Sequence, residues 1–399
     1  MKLSLGIVIA VVTAGSIVAC SSSDEAAAPD VETPNGEGGT LPPPTPDAGN
    51  ATDAGGGDAD AEAAAPRVCS DDGFCHTSVP SGQTLRAVWA DGAGIAWAVS
   101  EEGAILRFDG TSWKLHTKTK GKLFAVWGSS PTDLWVGGND GLFHGTGATS
   151  NALTFENVSA PGNASAPITS IWGTGSKDVW AVGNLMNFPY VARVLHYTDG
   201  FAGAGWQIDP ISTSPILTSR VWGNGTSGVW VAGVRNNPVT INPEVVTLRR
   251  AIGSGSFVEV PMPKDPAGNG NAGQLDKLFD GAVGADGTIW VLGRTNTSKP
   301  GFARGTTTDG VTFTWTFVPH GPSVGPVSSF VWGNGKSDMW VGGEYGRFHH
   351  WDGTSWLQAR TTVTKFPDTT NLNAIWGAPS GEMWIFGDGN ALHKTPKKS

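Results

Sequence analysis

The chain has 399 residues, among them 57 glycines, 26 prolines and 18 tryptophans, and only 15% of its residues are charged. Its formal charge of −9 is unevenly spread: ten of the 35 carboxylates lie within residues 21–66, and 25 of the 26 lysines and arginines lie beyond them. The part after residue 66 is therefore close to neutral, which excludes the basic footprint of a nucleic-acid-binding surface, and no second long apolar run follows the first residues, which excludes a transmembrane helix.

Residues 1–19 combine an early Lys2, an apolar run from Leu5 to Val12 and small residues before Cys20, the pattern of a secretory signal. Ile17-Val18-Ala19-Cys20 resembles the lipobox of bacterial lipoproteins, and the resemblance implies that Cys20 becomes an acylated N-terminus. Each buried CH₂ contributes about 0.8 kcal/mol, so several acyl chains anchor a protein that one chain holds only weakly. Ser21 follows the cysteine where an aspartate would imply retention at the inner membrane, so the outer membrane is the expected location, on its periplasmic or cell-surface side. From Ser21 to Pro66 there is almost no large apolar side chain to offset chain entropy. Residues 20–66 read as a lipidated cysteine and a disordered tether with a mean reach of about 40 Å.

The two remaining cysteines, Cys69 and Cys75, form an even pair in an exported chain, which points to a disulfide rather than to zinc. Closing so short a loop stabilises by about 2.4 kcal/mol in the chain-entropy model.

A tryptophan repeat organises residues 67–399. Pairs eight positions apart recur as Trp89/Trp97, Trp127/Trp135, Trp172/Trp180, Trp222/Trp230, Trp332/Trp340 and Trp376/Trp384, and a further unit keeps Trp290 with Ala282 in the first place. Three residues after the second tryptophan stands a glycine, as at Gly138, Gly183, Gly233, Gly293, Gly343 and Gly387, with Ser100 in the first unit. Each unit reads as short alternating strands between turns, for example Leu123–Trp127, Asp133–Gly137 and Leu142–His144. In the first and sixth units an Asp-Gly-Thr-Ser-Trp turn opens a fourth strand at Trp113 or Trp356. The fold class is therefore all-β: a single seven-bladed β-propeller of four-stranded antiparallel blades. The last unit runs out after a third strand, Ala391–Lys394, and the segment near His76 to Val79 is expected to supply its outer strand, stiffened by the cysteine pair.

The pattern resembles bacterial lipoprotein propellers with tandem Trp-Gly…Asp-x-Trp-x-Val-Gly repeats, similar in style to the Asp-box propellers of sialidases and to photosystem-assembly propellers. The resemblance covers roughly residues 68 to 399 and implies the architecture. The Asp-box signature is not intact and no arginine triad can be placed, so glycosidase chemistry is not implied.

Most conspicuous residues have structural readings. The tryptophans fill the space between blades. His144, His196, His349, His350 and His393 recur in third strands, where equivalent positions on different blades point apart and cannot converge on a metal. Asp133, Asp178, Asp338 and Glu382, each two residues before a second tryptophan, read as turn caps rather than catalytic acids. No catalytic, metal or cofactor motif is present. Length varies instead at the loops between second and third strands, at Asn184–Arg193, Arg235–Glu244 and Arg294–Arg304, and at connections between blades. All of these emerge on one face. Because function collects on loops held by a rigid scaffold, the candidate ligand face comprises Phe188, Tyr190, Arg193, Arg235, Asn236, Asn237, Arg294, Lys299, Phe302 and Arg304. The expected protein is a monomeric, non-enzymatic, membrane-anchored module that binds protein or polysaccharide. An envelope scaffold or assembly factor and a propeller hydrolase or lyase are the alternatives.

Overall fold

Alternation of period two turns every tryptophan pair into two adjacent antiparallel strands, and the register places the paired indoles opposite each other: Trp127 with Trp135, Trp172 with Trp180, Trp222 with Trp230. The computed structural model describes residues 68–185, 191–199, 205–236, 242–262, 275–295, 300–318, 329–363 and 369–396. The expectations for the signal, Cys20 and the tether, and for Phe188, Tyr190, Asn237 and Lys299, lie outside these residues. Among the described residues no helix is long and apolar enough to cross a membrane.

Seven four-stranded antiparallel sheets follow one another as blades 1 to 7. Their innermost strands are Leu85–Ala90, Leu123–Ser130, Ile168–Gly175, Leu217–Asn224, Leu275–Val283, Phe330–Gly335 and Leu372–Gly377. Six of these carry a bulge near their start, for example between Leu85 and Ala87 and between Thr218 and Arg220. The glycine three residues after the second tryptophan explains itself here. A Cβ on Gly138, Gly183 or Gly233 would stand 2.1 to 2.2 Å from the carbonyl oxygen of Lys122, Pro167 or Leu217 on the neighbouring inner strand.

The ring closes as expected. Cys75–His76 pairs antiparallel with Ala391–Lys394, so one blade draws on both ends of the described chain. Cys69 and Cys75 are joined by a disulfide. The loop between them also carries Phe74, which is fully buried between blades 6 and 7 with its ring 6.0 Å from Trp340 and 5.4 Å from Phe348. The short loop is thus a peg as well as a clasp.

There is no central core. Seven apolar clusters each span two neighbouring blades, the last joining blade 7 to blade 1. The glycine that follows the first tryptophan makes this contact possible. A Cβ on Gly128 would meet Trp89 of the preceding blade at 2.9 Å, one on Gly173 would meet Trp127 at 2.8 Å, and one on Gly223 would meet Trp172 at 2.8 Å. Trp89, Trp127 and Trp172 therefore lie where the next blade has no side chain.

Polar clasps on the inner strands add to this. Ser170 of blade 3 exchanges hydrogen bonds with the Val221 backbone of blade 4, at 3.1 Å each way. Arg220 of blade 4 pairs with Asp280 of blade 5 at 3.4 Å, and Asp280 accepts from the Val331 amide of blade 6 at 3.0 Å.

Two substitutions test these contacts. Gly173→Ala inserts a methyl against both Trp127 and the Asp178 carbonyl, and overpacking of this kind costs about 1–3 kcal/mol. Phe74→Ala empties the peg, for which aromatic truncation in a core costs about 3–5 kcal/mol. Both are expected to lower the denaturant midpoint, whereas truncating the exposed Leu115 on an outer strand should leave it nearly unchanged.

Candidate functional site

Acidic and imidazole side chains are the first place to look for chemistry, and the structure engages them in pairs. His144 lies 2.6 Å from Asp133, His196 2.6 Å from Asp178, His350 2.7 Å from Asp338, and His393 3.0 Å from Glu382. Each imidazole also stacks on the second tryptophan of its blade, with ring centroids 3.9, 3.8, 4.2 and 3.8 Å apart. The carboxylates additionally accept from turn hydroxyls, Ser129 and Thr174, and from the indole N–H of Trp180, Trp340 and Trp384. Among the described residues the turn role read from the sequence holds for Asp133 and Asp178, which accept from turn hydroxyls, whereas Asp338 and Glu382 meet histidine and indole alone. The pairing with histidine was legible only by combining two repeat positions that look unrelated in sequence.

The remaining three blades make the rule visible. Ile95, Gly228 and Thr288 replace the acid, and the residue opposite the second tryptophan is then Arg107, Arg249 or Arg304 instead of histidine. Arg249 and Arg304 lie over the rings of Trp230 and Trp290, each 5.8 Å from the centroid. Six blades thus place a guanidinium or a hydrogen-bonded imidazole on their second indole, while in the first blade Trp97 is met edge-on by His116 at 4.9 Å. These groups are tied up blade by blade, and among the described residues no three His, Cys, Asp or Glu side chains come together as metal ligands.

The inner strands enclose a small channel of about 200 Å³, lined by Arg86, Thr169, Arg220, Asp280 and Asn373 among others. Its charges are paired: Arg86 with Glu101, which also meets Lys122, and Arg220 with Asp280. Burial pushes the Asp280 carboxyl up despite the neighbouring guanidinium.

A much larger cavity, about 1100 Å³, opens on the face where second strands turn into third strands. Its location follows from strand length. The second strands of blades 1, 2, 6 and 7 end at Ser100, Gly138, Gly342 and Gly387, two or three residues past their tryptophan. Those of blades 3, 4 and 5 run on to Leu185, Asn236 and Thr295, five or six residues past it. At about 3.3 Å per residue, three consecutive hairpins rise roughly 7–10 Å higher than their neighbours. The cavity is a groove among them, lined by Val191, Ile216, Leu217, Val234, Pro243 and Leu278, with Asn184, Arg235, Asn236, Asp276, Lys277 and Arg294 as its main polar groups.

The residues assigned to this face from sequence are placed unequally. Arg235, Asn236 and Arg294 do line the groove. Arg235 is held by Glu244 at 2.6 Å and by both oxygens of Glu259, which raise its pKa above the ordinary guanidinium value. Arg193, Phe302 and Arg304 are corrections. Arg193 is 3% exposed and donates to the carbonyls of Pro161 and Ala160 at 2.9 and 2.8 Å, its pKa lowered by burial. Phe302 is fully buried between blades 5 and 6, with its ring 5.0 Å from Trp356. Arg304 sits over Trp290 and reaches the Lys336 carbonyl in a turn on the opposite face. The cause is common to all three: the segments taken for loop insertions are strands at these positions, and alternation turns their side chains inward or along the blade. Asn184, Lys277 and Leu278, which line the groove, were missed because they belong to strands and carry no motif of their own.

No protein-family model matches the chain, and no curated protein matches it in sequence. Solved structures do resemble it in fold. YCF48 bound to D1 peptide superposes with a TM-score of 0.56 at 13% identity, over 83% of this chain and 99% of that one. The extracellular domain of a putative one-component system, BT4673 from B. thetaiotaomicron, gives 0.55 at 13%, over 80% of this chain and 40% of that one. The WD40 β-propeller domain of Doa1 gives 0.50 at 14%, over 81% and 96%. At these identities the likeness is one of architecture.

The paired groups set the response to acid. Hydrogen bonds from His196 and His350 hold Asp178 and Asp338 below the usual carboxylate range, and Asp133 is lowered by His144 and Ser129 against an opposing effect of burial. Burial lowers His393, partly offset by Glu382. A depressed folded pKa contributes stability above the unfolded value that is lost as pH falls through the folded one. The melting temperature is therefore expected to fall on acidification, beginning below about pH 6.5 through His393 and continuing below about pH 4 through the aspartates. A melting temperature constant from pH 7 to pH 3 would contradict this assignment.

Proposed function

We propose that this protein is a non-enzymatic binding module, exported and lipid-anchored through Cys20 at the outer membrane, whose groove between blades 3 and 5 holds an extended segment of a partner polypeptide. The observation that carries the reading is the chemistry of the groove. Aliphatic side chains flanked by asparagine and serine suit the alternate side chains and main-chain amides of an extended peptide. The polypeptide partner is thereby preferred to the polysaccharide that the sequence left equally open. The propeller likeness to YCF48, seen bound to a D1 peptide, is consistent with such a role.

A catalytic reading has less support. Four imidazoles are committed to carboxylates and indoles within single blades, and the channel's charges are paired. The same groove would serve an envelope scaffold or assembly factor, which is a polypeptide-binding module in the same chemical sense.

The test is selection of random 15-residue displayed peptides on the full chain, alongside Thr213→Trp and Asn236→Trp, which plug the groove from two exposed lining positions. Peptides enriched by the unaltered protein are expected to bind both plugged variants at least tenfold more weakly, with no glycan captured from an array. Equal binding by the plugged variants, or glycan capture that the plugs abolish, overturns the proposal.

A further inference from the structure

Blade 5 contains a local conflict that its own folding does not require. Its inner strand bulges between Leu275 and Lys277, which sets Lys277 directly opposite Arg294 on the second strand. Like charges directly opposed across antiparallel strands destabilise the pair. Both side chains line the groove.

The surrounding groups relieve little of this. Asp276, the extra residue of the bulge, reaches Arg294 only through Nε at 3.5 Å, and its own side chain is 16% exposed against 41% for Arg294. The two terminal nitrogens of Arg294 have no hydrogen-bond partner among the described residues, and Lys277 faces no carboxylate there, its ammonium lying 5.2 Å from the Phe279 ring centroid. The contrast with Arg235 is instructive, because Glu244 and Glu259 neutralise that residue directly. The groove wall therefore presents two cations without a full partner, Lys277 and Arg294, beside a single, largely covered carboxylate.

We infer that Lys277 and Arg294 form a carboxylate-recognition point, and that the groove's occupant is an aliphatic polypeptide segment carrying an aspartate or glutamate side chain. The inference rests on the polypeptide reading of the groove and adds its charge specificity. A bound carboxylate would sit between two cations that otherwise repel, and its aliphatic neighbours would lie along Val234, Pro243 and Leu278. The strand conflict in the free protein then becomes a favourable contact in the complex.

The test uses three pools of 12-residue peptides, acetylated and amidated so that side chains carry the only charges. Aliphatic residues alternate in each pool with aspartate, asparagine or lysine. Binding to the full chain is read by fluorescence anisotropy at low and high salt. The acidic pool is expected to bind tightest and the basic pool weakest, with the difference shrinking at high salt. Lys277→Glu is expected to weaken the acidic pool about three- to tenfold and to strengthen the basic one, as reversal of an exposed charge does. Lys277→Gln should show about half that change. Because these substitutions remove a like-charge pair, the unfolding midpoint should hold or rise. Equal binding of all three pools, or an order that Lys277→Glu leaves intact, overturns the charge specificity while the polypeptide groove stands. Failure of every pool to bind overturns both.

Discussion

The structure depends on a contact repeated between successive blades: an indole of one blade packed against a glycine of the next, which offers no side chain there. Trp89 on Gly128, Trp127 on Gly173 and Trp172 on Gly223 are successive instances. Large aromatic rings bury much area, and the apolar clusters they enter each join two neighbouring sheets. No blade can satisfy its own apolar faces, so stability is held at seven interfaces and is lost if the ring stays open. This explains why the closing blade is reinforced so heavily, by the Cys75–His76 strand, by the disulfide and by Phe74.

The second tryptophan of each pair works inside its blade. In six blades its ring is covered either by an imidazole held by a carboxylate or by a guanidinium, and the two solutions exclude one another at matched positions. Asp178 accompanies His196, whereas Gly228 accompanies Arg249. The reason is electrostatic. An imidazole needs an acceptor to fix it over the indole, while an arginine over the ring brings its own charge. Arg249 finds the Ser227 carbonyl instead, at 2.7 Å.

Architecture was readable from sequence because each of its determinants repeats. Blade number, four strands per blade, the fourth strands opening at Trp113 and Trp356 and the composite last blade all follow from spacing that sterics enforce in nearly every unit. The groove was readable only in outline. Unequal lengths between second and third strands marked the face and the three blades on which the groove lies, yet not its side chains. Arg193 and Phe302 look like loop residues when counted from the repeat, but the hairpin strands extend through them and period-two alternation turns them away from solvent. Leu278 and Lys277 look like ordinary strand residues and owe their position to bulges that no residue type announces.

That division has a physical origin. Interfaces between blades are constrained by close packing, so their residues are few in kind and recur; a methyl group too many is felt at once. The raised hairpins of blades 3 to 5 rest on the same packed layer but lie above it, where a strand can lengthen by two residues without disturbing any indole. Arg-covered indoles occupy blades 4 and 5, whose locks contain no imidazole and no turn carboxylate. The sector that carries most of the groove is therefore held by groups that keep their charge at any ordinary pH, while blades 2, 3, 6 and 7 rely on pairs that titrate. Variation in the groove and sensitivity to acid are in this way largely separated around the ring, with blade 3 alone belonging to both.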